Sequence, residues 1–232
     1  MIEHRPFADL GRFRNDWLSA RYHFSFADYY DPTRMGLGPL RVWNDDRIDP
    51  GTGFPMHGHR DMEIISYIRR GAITHEDHLG NRGRTEAGDV QVMTAGTGIL
   101  HSEYNLEGEH TEMFQIWIEP ASARLSPGWQ SRQFPKESRG GLVPLASGRP
   151  EHAGDALPIH QDAAILGATL AEGEEVSHAL PNGCKAYLVA ARGRLDANGV
   201  ELGPRDGAVI TDETAVTLRA LEESEIVLAD LP

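Results

Sequence analysis

The sequence predicts an all-β protein folded as two β-barrels. Three observations predict it: short apolar segments of strand type recur along the chain, glycine, proline and asparagine turns separate them, and helix patterns are scarce. Taken in order, the strand segments are Leu40–Asn44, Met62–Ile68, Asp89–Met93, Glu112–Ile118, Ala186–Ala190 and Glu225–Ala229. Residues 113–118 read Met-Phe-Gln-Ile-Trp-Ile, nearly continuous apolar character that suits a strand covered on both faces. Helix is expected only in short pieces. Asp9–Ala20 reads as a short helix, Ala121–Leu125 as a turn, and Gln161–Leu166 as ambiguous.

Two barrels, rather than one, are suggested by a faint internal echo. Gly71-Ala-Ile-Thr followed by Gly88–Thr94 resembles Gly193-Arg-Leu-Asp followed by Asp206–Thr211. Each is a hairpin that opens on glycine and closes with a Gly/Asp turn into an apolar strand. Aromatic content divides the chain in the same way. Of 17 aromatic residues, 16 lie at or before Phe134, and only Tyr187 follows. Six of the 14 prolines fall between Pro120 and Pro158, with five glycines among them, so this stretch reads as an extended connector. The expected domains are 1–135, a connector at 136–159, and 160–232.

The chain's 232 residues can bury a substantial core without covalent staples. Acidic residues outnumber basic ones by 35 to 22, and the net charge of −13 disfavours direct nucleic-acid binding and anionic membrane surfaces. One cysteine, Cys184, excludes an intramolecular disulfide framework and a cysteine-built zinc site. No stretch approaches 18 consecutive apolar residues, and the N-terminal residues lack the apolar run of a signal peptide. The expectation is a cytoplasmic, soluble protein.

The segments that carry chemistry are Gly51–Glu63, containing His57-Gly-His59, and Gly88–Asn105, containing His101-Ser-Glu103. Each offers two ligand-type side chains at i and i+2. On an extended strand that spacing places both on one face. If the two strands face each other across a barrel interior, three imidazoles and a carboxylate converge. That set suits a divalent first-row metal with open coordination positions better than a closed structural zinc.

The pattern Gly-x5-His-x-His-x3-Glu, followed by a glycine-turn segment ending His-x3-Asn, resembles the paired motifs of the cupin superfamily. Residues 95–105, Ala-Gly-Thr-Gly-Ile-Leu-His-Ser-Glu-Tyr-Asn, are more particular, as are His23–Asp31 and Arg41–Asp46. Together they resemble the pirin family, especially bacterial pirin-like members described as quercetin 2,3-dioxygenases. The resemblance runs almost continuously from Trp17 to Trp117 and is loose thereafter. It implies a bicupin, two double-stranded β-helix barrels, with one divalent transition metal in the N-terminal barrel only. Its ligands would be His57, His59, His101 and Glu103. Iron stands first among the metals implied, with manganese, cobalt, nickel, copper and zinc also compatible with the ligand set.

The implied activity is that of a quercetin 2,3-dioxygenase-type oxidoreductase acting on a flavonol-like aromatic substrate and O2, with Glu103 as catalytic base. The same family includes nuclear, iron-containing modulators of transcription complexes. The alternative it implies is therefore a non-catalytic, metal-dependent binding or regulatory protein with a protein partner. Glu63 departs from the wider cupin spacing by one residue. It is expected either to orient a histidine or to form a buried pair with Arg60 or Arg41.

In the second half, the positions matching the four ligands are Ala179, Pro181, Leu218 and Ala220, none of which binds metal. His75-Glu-Asp-His78 precedes the Leu79–Asn81 turn and reads as a solvated hairpin tip. His23, Phe24, Phe26, Tyr29 and Tyr30 could line a pocket mouth or serve as ordinary packing. His4, His110, His152 and His160 need no role, and Cys184 reads as inert.

Overall fold

The computed structural model describes residues 1–134, 140–181 and 183–232. Strands dominate it. They are β1 (Ile2–Arg5), β2 (Gly11–Arg14), β3 (Leu18–Tyr22), β4 (Leu40–Ile48), β5 (Thr52–His59), β6 (Glu63–Arg70), β7 (Ala72–Asp77) and β8 (Arg82–Glu86). There follow β9 (Val90–Thr94), β10 (Ile99–Asn105), β11 (Thr111–Ile118), β12 (Gly128–Arg132), β13 (Val143–Ser147) and β14 (Leu157–Pro158). The last are β15 (Ala164–Leu170), β16 (Glu175–Ala179), β17 (Lys185–Arg192), β18 (Leu195–Ala197), β19 (Val200–Leu202), β20 (Gly207–Ile210), β21 (Ala215–Ala220) and β22 (Ser224–Leu231). All six strand segments read from the sequence overlap strands. No helix among the described residues is long and apolar enough to cross a membrane.

The chain forms two compact units. One holds the described residues of Gly11–Pro135 with Leu157–Gln161; the other holds Met1–Leu10, the described part of Lys136–Ala156, and Asp162–Pro232. The first ten residues thus belong with the second half of the chain, where β1 pairs with β20. Part of the segment read as a connector is a strand, since β13 pairs with β15.

The expected helix at Asp9–Ala20 is not formed. Phe7–Asp9 makes a single 3₁₀ turn, and β2 and β3 pair as an antiparallel hairpin with Gly11 opposite Tyr22. Two local features decide this. Leu18, Ala20 and Tyr22 are buried in alternation, a strand period. Asn15 Oδ1 accepts hydrogen bonds from the backbone N–H groups of Trp17 and Leu18, at 3.0 and 2.7 Å, an Asx turn that competes with helix. The ambiguous stretch Gln161–Leu166 runs into β15.

The echo is real at the level of topology. In the first unit one sheet runs β12-β9-β6-β11-β4-β3-β2 and another β5-β10-β7-β8. In the second unit β1-β20-β17-β22-β15-β13 and β16-β21-β18-β19 repeat that order. The glycines that open the echoing hairpins have the same reason to be glycine. Gly71 and Gly193 adopt φ of +71° and +75°, where a side chain is strained. A Cβ on Gly193 would also stand 2.3 Å from the backbone oxygen of Glu223.

The two interiors differ in kind. The second unit closes over a continuous apolar core that includes Leu166, Val176, Leu188, Leu218, Ile226 and Leu228. In the first, Leu18, Ile48, Ile68, Ile73 and Met113 form one apolar cluster, while Ile64, Met93, Ala95 and Ile99 form another. Buried polar side chains also lie in this unit, including His75, Gln91, His101, Glu103 and Gln115.

Candidate metal centre

Strands β5 and β10 run antiparallel with His57 opposite His101. The register then slips, so that Glu103 stands opposite Phe54. This bulge gives β5 one extra residue against β10, a device that redirects side chains beside a site. Gly53 permits the close approach, because a Cβ there would lie 2.2 Å from the Glu103 backbone oxygen.

His57, His59 and His101 bring one ligand atom each to within 4.8 Å of one another. This span is comparable to twice a metal–imidazole bond of about 2.0–2.1 Å. Their ring centroids are 4.5 to 5.0 Å apart. His101 is buried and the other two are partly buried. The His57 Nδ1–H donates to the Pro55 carbonyl at 2.7 Å, which leaves Nε2 with its lone pair free. Burial, then the nearby His57, pushes His59 down to about 4, and burial with the surrounding imidazoles pushes His101 down to about 2. Both rings are therefore neutral near pH 7, the form that binds metal.

His101 Nε2 supplies the test of fit. It is buried without a hydrogen-bond partner, and a buried imidazole nitrogen left unsatisfied costs free energy unless something takes its lone pair. A divalent cation among three neutral imidazoles does so. The residues present fit a metal.

Glu103 lies outside that group of three. Its Oε1 accepts from Gln91 Nε2 at 2.6 Å and Ser66 Oγ at 3.2 Å, and its Oε2 accepts from Gln115 Nε2 at 2.9 Å. The polar cradle extends further, since Thr85 Oγ1 donates to Gln91 Oε1 at 3.0 Å and Trp117 Nε1 donates to Gln115 Oε1 at 3.1 Å. Burial raises the Glu103 carboxyl to about 7 against the hydrogen bonds from Ser66 and Gln91. Burial thus brings the range in which this carboxyl titrates up to neutral pH.

Trp117 ties this cradle to the imidazoles. Its ring meets His59 edge-on at 4.9 Å and Phe26 edge-on at 5.4 Å. Of the aromatic residues near His23, Phe26 therefore reaches this wall, His23 and Phe24 are buried, and Tyr30 is exposed. A cleft of about 360 Å³ lies beside His59, lined by Gly58, His59, Arg60, His78, Gly98, Ile99 and Leu100.

Two sequence expectations are corrected here. Glu63 is fully buried, but it accepts from Thr94 Oγ1 at 2.8 Å and His160 Nδ1 at 3.1 Å, not from Arg60, Arg41 or an imidazole of the cluster. Arg41 instead makes a two-pronged pair with Glu119 at 2.8 and 2.9 Å, and His160, expected to have no role, is the partner Glu63 uses. The second correction concerns His75-Glu-Asp-His78. The turn at Leu79 is present, but His75 and Asp77 are buried side chains at the end of β7. Sequence reasoning missed them, along with Gln91, Gln115 and Trp117. The available signal was alternation, since buried Ile73 puts residues 73, 75 and 77 on one face.

In the second unit the corresponding strands β16 and β21 bring Val176 opposite Leu218, both buried and apolar. Among the described residues no second group of metal-type ligands forms.

Known proteins resemble this chain along its whole length. The Pirin family model matches residues 4–118, and a model described as a quercetinase C-terminal cupin domain matches 144–231. A pirin-like protein of Caulobacter vibrioides is 58% identical over 231 residues, covering 99% of each chain. A quercetin 2,3-dioxygenase of Escherichia coli K12 is 38% identical, covering 100% of this chain and 99% of the relative. The crystal structure of the E. coli bacterial pirin YhhW in complex with nickel(II) superposes with a TM-score of 0.94 at 38% identity, covering 100% of this chain and 99% of that one. The protein is a two-domain, all-β bicupin and belongs to the pirin family.

Proposed function

We propose that this protein is a metal-dependent dioxygenase of the quercetin 2,3-dioxygenase type, acting in the cytoplasm on a flavonol-like substrate with O2. The observation that carries this reading is the triad of neutral imidazoles, one with an unsatisfied buried nitrogen, two residues from a carboxylate set near neutrality. His57, His59 and His101 would hold a divalent ion, iron first and manganese, cobalt, nickel, copper or zinc in its place, with Glu103 as fourth ligand. When bound, such an ion supplies Lewis acidity toward the hydroxyl–keto oxygen pair of the substrate.

The remaining work falls to side chains. Glu103 takes the proton of the substrate hydroxyl, and Gln91, Gln115 and Ser66 hold its carboxylate in place while it does so. Trp117 and Phe26 offer an apolar wall beside His59 for a planar aromatic ring. Support also comes from the E. coli relative that carries the quercetin 2,3-dioxygenase name.

The test is oxygen uptake by purified protein given quercetin and, in turn, Fe(II), Mn(II), Co(II), Ni(II) or Cu(II). Turnover with at least one metal, absent in His101→Ala, is expected. No uptake above that variant with any metal would remove the enzymatic reading and leave the binding-protein alternative.

A further inference from the structure

Behind His101, on the side away from Nε2, stands a second pair of buried groups that the proposed chemistry does not use. His75 Nδ1 lies 3.5 Å from His101 Nδ1, and His75 Nε2 lies 3.1 Å from Asp77 Oδ2. Both residues are buried, His75 fully. The strand register explains their meeting, because β7 pairs with β10 so that Asp77 stands opposite His101 and His75 opposite Glu103.

With both imidazoles neutral, the donor and acceptor arithmetic has one consistent solution. Asp77 Oδ1 accepts from the backbone N–H groups of Leu79 and Asn81, at 2.9 and 3.0 Å, and Oδ2 accepts from Asn81 Nδ2 at 2.9 Å. A carboxylate so surrounded by donors is an acceptor toward His75 as well. The His75 proton therefore sits on Nε2, and His75 Nδ1 presents a lone pair. His101 has no partner at Nε2, so its proton belongs on Nδ1, facing that lone pair. The result is a line from Asp77 through His75 to His101 that leaves the His101 Nε2 lone pair aimed outward.

The position of His75 is itself secured. Its ring stacks on Trp129 at 4.8 Å with planes 7° apart. Trp129 in turn needs the absent side chain at Gly83, where a Cβ would stand 2.2 Å from the indole ring.

We infer that His75, held by Asp77 and Trp129, is a positioning residue that fixes the tautomer of His101 and thereby sets the affinity of the centre for a divalent metal. This inference rests on the three-histidine centre proposed above. It also extends it, because it assigns a function to buried residues outside the ligand set. Partners of this kind behind a metal-binding histidine orient the ring and raise its basicity, and their removal costs metal affinity about 10–100-fold.

The experiment has two readouts. In metal-free protein, long-range ¹H–¹⁵N correlation reports which nitrogen of His101 carries the proton, with the signal assigned by its loss in H101Q. Competition with a chromophoric chelator reports nickel(II) affinity. The Nδ1–H form is expected in the unsubstituted protein. His75→Phe, which keeps the stack on Trp129, should mix the tautomers and weaken nickel(II) binding about 10–100-fold with a native amide spectrum. His75→Gln can donate to Asp77 and accept from His101, so it should stay within about threefold of the unsubstituted protein.

An Nε2–H form of His101 in the unsubstituted protein would overturn the inference, and that result does not depend on how any variant folds. Unchanged affinity in His75→Phe would overturn it too. Should the unsubstituted protein bind no nickel(II) while His101 shows the Nδ1–H form, the metal centre fails and takes the affinity role of His75 with it, leaving only its hold on the His101 tautomer.

Discussion

Replacing His101 with alanine is expected to lower divalent-metal affinity at least about 100-fold, because loss of a partner merely behind a ligand already costs 10–100-fold. Of the three imidazoles, His101 is the most deeply buried, and it alone has a buried nitrogen with no hydrogen-bond partner. His57 and His59, both on β5, would remain as a two-point site without the member contributed by β10. Nickel(II) retention after gel filtration, compared with the unsubstituted protein, measures the effect. The fold should survive, since removing the ring also removes an unsatisfied buried polar atom, which offsets part of the cost of the cavity. Metal content equal to that of the unsubstituted protein would place the ion elsewhere.

The second large effect is expected in the other unit and concerns stability rather than chemistry. Asp230, at the end of β22, is almost fully buried. Its carboxylate is gripped by Arg149 through Nη1 at 2.6 Å and Nη2 at 2.8 Å, and by His178 Nε2 at 2.7 Å. Burial pushes its carboxyl up, but the hydrogen bonds and charges of Arg149 and His178 outweigh that and hold it below its ordinary value.

A carboxyl whose folded-state pKa is depressed contributes stability that is present above its unfolded value, near 3.8, and is lost as pH falls through the lower folded value. Asp230→Asn should therefore lower stability at pH 7 by about 3 kcal/mol, the lower end of the range for stranding one partner of a buried pair, because Arg149 and His178 keep some contact with water. Urea denaturation at pH 7 and near pH 3 tests this. The gap between the two proteins should narrow at the acidic end, and a gap independent of pH would contradict the assigned role.

The pairing of side chains on shared strand faces was legible because a strand has a period of two. His57 with His59, and His101 with Glu103, needed only that spacing and the strand character of their surroundings. The bulge in β5 was not legible, since it depends on the close backbone approach that Gly53 allows. Nor was the cradle of Glu103. Gln91 and Gln115 sit in strands β9 and β11, and an isolated glutamine in an apolar strand carries no sequence signal of what it will meet across the barrel.

His75 and Asp77 illustrate a different loss. A charged run next to a turn reads as solvent-facing, yet β7 extends through Asp77 and buries both side chains. Local charge outweighed periodicity in that reading, and periodicity was the better guide. The helix expected at Asp9–Ala20 failed for the opposite reason. A composition compatible with helix gave way to an Asx turn at Asn15 and to the alternating burial of β3. The duplication, by contrast, showed faintly in two glycines whose left-handed backbone recurs in both units.

The central claim is that three imidazoles from β5 and β10, with Glu103, hold a divalent metal. X-ray absorption spectroscopy of the nickel(II)-loaded protein tests it most directly. Three imidazole scatterers and one carboxylate oxygen are predicted, with one imidazole lost in His101→Ala and the carboxylate lost in Glu103→Gln. A spectrum with fewer than three imidazoles in the unsubstituted protein, or one unchanged by His101→Ala, would contradict the account.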